Sequence, residues 1–168
     1  MNEYSITWDA TAFFKRLTES NRLARDNGFE FVEVSSLEGF HGALGNMNST
    51  TAYVAVSDST QGAISTENSP HTRRIVTVFT AMRHAEDSMS DRRDCLELMN
   101  ELFRQFLSVL IQEKIRLAEK KIFIDQRISF TEIDKYFFTG CACAFFQIAF
   151  DKSTDLRYNP QEWLTQLL

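Results

Sequence analysis

Two short runs carry residue types that can do chemistry. Cys141-Ala142-Cys143 places two thiols two residues apart, which on a strand is one face. A soft metal would want more ligands nearby, and no Cys, His or Asp follows until Asp151. Buried free thiols acting as small hydrophobes account for the pair better. His84-Ala85-Glu86-Asp87 matches the first half of a zinc-deaminase signature, in which His binds metal and Glu moves protons. The second half, Pro-Cys-x-x-Cys, is missing, so the run reads as a polar turn. His71 and His84 flank one strand whose roughly eleven residues rise about 3.3 Å each, so a shared site is not expected. No Gly-rich phosphate loop, Gly-x-Ser-x-Gly elbow or His-Glu-x-x-His helix occurs. The expectation is a non-enzymatic chain with no catalytic, cofactor-binding or metal-binding residue.

Positive charge gathers at Arg73, Arg74, Arg83, Arg92 and Arg93, around one strand and the start of the next helix. It fits either a solvated rim or a patch that meets an acidic neighbour, since Arg is enriched at interfaces. The net charge of −5 argues against a general nucleic-acid binder. Three cysteines without framework spacing point to free thiols in a reducing compartment. The first residues, Met1 to Trp8, carry no basic n-region or apolar h-region, so no signal peptide is expected. Cys141 to Phe146 is the longest apolar run and is too short to span a bilayer. The expected location is the cytoplasm.

The elements that must position these residues follow from spacing. Asp9 caps a helix reaching about Asp26, and Asn27-Gly28 stops it. Phe29 to Val34 reads as a strand whose break in alternation predicts a bulge. Ser35 to Ser49 is turn-rich and reads as a loop with at most one helical turn. Thr51 to Val56 is a strand. Ser57 to His71 is small, polar and aperiodic, a long loop of the kind that is functional or disordered. Arg73 to Arg83 is apolar on both faces, as a central strand is.

Asp91 to Lys121 is the dominant element, a long amphipathic helix. Leu96, Met99, Phe103, Phe106 and Leu110 form one row, widened by Leu98, Leu102, Leu107 and Val109. Arg127 to Ile133 is a strand with Ile128 and Phe130 inward, and Cys141 to Phe150 is a second strand apolar on both faces. Asn159-Pro160 opens a short terminal helix carrying Trp163, Leu164 and Leu167. The 15 Phe residues suit a bulky core and can also supply a subunit interface. Together these predict one α+β domain over residues 1–168. Its sheet is mixed and mostly antiparallel, with the long helix and a shorter N-terminal helix packed on one face.

That order of elements resembles the tail-terminator and tail-completion proteins of long-tailed phages and prophages. Tyr53-Val54-Ala55-Val56-Ser57, the loop through Pro70-His71, and the segment from Thr72 to Arg83 also look like prophage-encoded proteins from gut Bacteroidetes. The resemblance implies a ring, commonly of six subunits, that stops tail-tube growth and forms the face joined to the neck. It implies bacterial cytoplasm during assembly and a place in the virion. No motif fixes a residue correspondence, so no family residue is carried over. The candidate partner-binding residues are Gln61, Glu67 and His71 of the polar loop, with Arg73, Arg74, Arg92 and Arg93 beside it. The competing classes are a small α+β enzyme or ligand-binding domain using His71, His84 or Glu86, and a dimeric adaptor.

Overall fold

The computed structural model describes residues 8–35, 37–45, 52–57, 61–85, 88–133 and 140–164. Ser49, Thr51, residues 58–60, Glu86, Asp87 and Leu167, invoked above, lie outside the described residues. Asp9 accepts the Ala12 N–H at 2.8 Å and starts α1 (Ala10–Ser20). The expected single helix is two, because Asn21 turns extended and recaps the chain for α2 (Arg22–Asp26) by accepting the Ala24 N–H at 2.9 Å. Asn is a strong N-cap, so it ends one helix by beginning the next. Gly28, at φ +70°, supplies the left-handed stop.

Among the described residues a mixed sheet of seven strands follows, antiparallel except for one pair. β1 (Phe29–Val34) runs parallel to β2 (Ala52–Ser57), in unbroken register from Phe29 opposite Ala52 to Val34 opposite Ser57. The expected bulge is therefore absent. Both faces of β1 find cover, Phe29 and Phe31 in one core and Val32 and Val34 in another, which is why its alternation looked broken. The second core lies under α3 (Leu37–Gly45), a nine-residue helix where a loop was expected. Phe40 of α3 stacks on Phe79 at 5.0 Å, and this packing outweighs the poor helix propensity of the segment's glycines.

β4 (His71–Arg83) and β7 (Cys141–Ser153) pair along all thirteen residues. On one side β4 holds β2 against Val78–Met82 and β3 (Gln61–Ser65) against His71–Ile75. On the other side β7 holds β6 (Ser129–Ile133) and the three-residue β5 (Ile122–Ile124). The long polar loop is thus corrected. Its central part is an edge strand held by backbone pairing, which asks little of side chains. The turn back to β4 uses Asn68 and Ser69 in the left-handed region.

α4 (Met89–Glu119) starts two residues before the expected Asp91, because Ser88 caps it by accepting the Asp91 N–H at 3.2 Å, and ends two residues before Lys121. Its buried row presses on β7, with the rings of Phe103 and Phe146 stacked at 3.5 Å between centroids. Phe14 of α1 stands against Phe103 and Phe106, so both helices share one core on one face of the sheet. The abundance of Phe is used here. Phe130 is a correction: its register opposite Phe146 gives it the helix face, but β6 is outermost and the ring stays 61% exposed. The expected terminal helix is only a single 3-10 turn at Pro160–Glu162, with Trp163 and Leu164 exposed.

Two substitutions check this packing. Phe103→Ala removes a buried ring and should cost about 3–5 kcal/mol in chemical denaturation, while exposed Gln112→Ala on the same helix should stay within about 0.5 kcal/mol. Equal effects would mean the inner face is wrongly placed. On Gly62 a Cβ would sit 2.5 Å from the Arg73 carbonyl oxygen. Gly62→Ala should therefore prise β3 from β4 and speed proteolytic cleavage within residues 61–70, leaving the melting temperature nearly unchanged. An unaltered cleavage rate would show that β3 does not need the close approach.

Candidate assembly surface

The residues singled out from the sequence fall into two separate groups. Gln61, Glu67, His71, Arg73 and Arg74 lie at the β3–β4 end of the sheet, whereas Arg92 and Arg93 lie in the first turns of α4, after the far end of β4. Arg73 and Arg83 are ten strand residues apart, about 33 Å, so the five arginines do not share one patch, the less favoured of the two readings of the sequence. Gln61 and Glu67 are exposed, and His71 is half-buried with Nδ1 3.0 Å from the Ser69 carbonyl oxygen. Arg92 is half-buried and donates to the Ile133 carbonyl at 3.0 Å, closing the end of β6. Arg74 and Arg93 are exposed, with no ion-pair partner among the described residues.

Arg73 is already engaged. It donates to Asp151 at 3.0 and 3.2 Å and to Asp125 at 2.5 Å, clamping β4 to β7 and to the segment after β5. The neighbouring carboxylates raise the Arg73 pKa further. The Arg127 backbone N–H and then the Arg73 guanidinium hold the Asp125 carboxyl below its ordinary range. The sequence missed this clamp because Asp125 and Asp151 are 26 residues apart and meet only through the β5–β7 register. The clamp sits on the sheet face opposite α4, beyond the reach of α3, beside the 55%-exposed ring of Phe123.

Ile64 on β3 and Met89 and Val109 on α4 are exposed singly, and Val109 thereby leaves the inner face expected of it; the remaining exposed apolar groups cluster at one sheet edge and along the chain's last described stretch. On α4, Leu107, Ile111 and Ile115 follow at four-residue spacing, the first half-buried and the others exposed. That flank looks toward β6 and β5, because Asn100 bonds Glu132 at 3.3 Å and Lys114 bonds the Asp125 carbonyl at 3.4 Å. Phe130 stands on β6 next to it. After β7, Leu156, Tyr158, Trp163 and Leu164 are all exposed.

The groups with catalytic potential sit differently. Cys95, Cys141 and Cys143 are all buried free thiols, and desolvation raises the pKa of each, so they are poor nucleophiles. Among the described residues no three His, Cys, Asp or Glu side chains group as metal ligands. An open cleft of about 210 Å³ lies between α1 and the end of α4, with Trp8, Phe13, Leu117 and Ile122 among its lining and Arg16, Glu113 and Lys120 charged around it. Among the described residues no helix is long and apolar enough to cross a membrane. Compared with known proteins, the chain matches no family model and no curated sequence.

The clamp has a pH signature. Asp125's folded pKa is depressed, so its contribution to stability is complete above the unfolded value of about 3.9 and fades as pH falls through the folded value. In urea titrations Asp125→Asn should be the less stable protein at about pH 6. The gap should close as the pH drops below the ordinary carboxylate range. A gap that stays constant would assign the difference to packing rather than charge.

Proposed function

We propose that this chain is a non-enzymatic structural subunit of a phage or prophage tail, which assembles into a ring, caps the tail tube and joins it to the neck. The observation that carries the reading is the exposure of large apolar side chains in two different places. One is the α4–β6 edge with Ile111, Ile115 and Phe130; the other is the stretch with Leu156, Tyr158, Trp163 and Leu164. Apolar surface of this kind marks interaction sites, and two unlike surfaces on one chain favour head-to-tail contacts, which close into rings. The tail-terminator resemblance rests on the element order read from the sequence, to which the fold adds α3, β3 and β5. Exposed Arg74 and Arg93 suit a neighbour with an acidic surplus, which another copy of this chain, at net charge −5, would have. A ring of six is the stoichiometry the resemblance favours.

A second reading, a small ligand-binding domain, rests on Trp8. Its indole N–H is buried in the wall of the 210 Å³ cleft with no acceptor among the described residues. A ligand carbonyl or carboxylate could supply one. Incubating the chain with tail tubes of the phage or prophage that encodes it, and imaging tube ends by electron microscopy, separates the two. Rings at one end are the expected result. Bare tube ends at saturating subunit concentration would overturn the tail reading.

A further inference from the structure

From Asp155 to Leu164 every residue is exposed, and none of its apolar side chains enters either core. Arg157 pairs with Asp155 at 2.5 Å, and Asn159 caps the 3-10 turn by accepting the Gln161 N–H at 3.2 Å. This is an arm with its own local order, and its Leu156, Trp163 and Leu164 lie outside both cores. At the opposite side of β7, the outer edge of β6 has no strand partner among the described residues. An open edge presents unpaired N–H and C=O groups, and Phe130, Ile111 and Ile115 lie beside it.

We propose that the arm of one copy docks on the β6 edge of a second copy, with residues 155–159 as the added strand. The proposal deepens the ring reading above and rests on it. Residues 154–159 carry no helical or turn structure, and Leu156 and Tyr158 alternate with Asp155 and Arg157. An added strand needs this pattern: main-chain bonds to the edge, with alternate side chains toward the apolar surface. The five residues 155–159 extend about 16 Å, matching the length of the five-residue β6. The net charges are opposite: Asp155 and Glu162 against Arg157 leave the arm negative, while Arg127 and Lys114 against Glu132 leave the edge positive.

The arm belongs on a second copy because of how it leaves the fold. The Thr154 N–H donates to the Pro70 carbonyl at 2.9 Å and its hydroxyl meets Thr72 at 2.7 Å. Both contacts hold the arm's root toward β4, whereas β5 and β6 lie on the other side of β7. Reaching its own β6 would require breaking these bonds and crossing the end of β7. Donor arm and acceptor edge are therefore different surfaces of one chain, and the contact is head to tail.

Sedimentation of the full chain across concentration, with two variants, tests this. Leu156→Asp/Tyr158→Asp spoils the arm, and Phe130→Asp spoils the edge. All three side chains are exposed, so both variants should melt like the parent. The parent's mass should rise with concentration, while each variant alone should associate at least ten-fold more weakly. Mixed one to one, the variants should form heterodimers and nothing larger, because only one intact arm and one intact edge meet. A parent that stays monomeric to millimolar concentration, or variants that associate like the parent, would overturn the arm exchange. Arm-dependent association without tube binding would remove the tail-cap reading and leave the exchange standing. Tube-end rings built equally well by both variants would do the reverse.

Discussion

Every strand of the sheet is anchored, directly or through one neighbour, on the ladder between β4 and β7. Thirteen continuous pairs give two strands of about 43 Å, longer than any single neighbour can cover. Each outer side therefore takes two short strands, β2 and β3 against β4, β6 and β5 against β7. α4, at 31 residues about 46 Å long, matches the ladder in length and lies along it through Phe103 on Phe146. The length of that ladder sets the rest of the architecture.

The central elements were legible because they must satisfy burial on both faces. Arg73–Arg83 and Cys141–Phe150 read as central strands from apolar residues of both parities, and α4 read from its apolar row. The sheet's mixed, mostly antiparallel character and its helix layer followed from those. Elements held by backbone alone were not legible. β3 has the composition Gln-Gly-Ala-Ile-Ser and gains its place from pairing with His71–Ile75. β5 has three residues, too few for any period to show. α3 was hidden by glycines whose cost is met by Phe40 and Leu44 against the sheet.

The surfaces were half legible for the same reason. Arg73 stood out as a charge available to a partner, yet two carboxylates distant in sequence occupy it. Phe130 stood out as inward by parity, and parity was right about the face; it could not reveal that β6 is the last strand. Trp163 and Leu164 suggested a docked helix, but a single 3-10 turn leaves them exposed. In each case the missing information was what lies next door in space. Apolar groups that the central ladder has no room to cover are the exposed ones on which the proposed assembly rests.

Native-state hydrogen exchange on the isolated chain tests that layout most directly. The account predicts that paired amides of β4 and β7 and the inner amides of α4 exchange only through global unfolding, at one common free energy. Amides of β3, β6 and the 154–164 arm should exchange through much smaller openings. Slowest exchange in β1, α3 or the short edge strands, with β4 and β7 opening locally, would contradict the claim that the thirteen-pair ladder carries the fold.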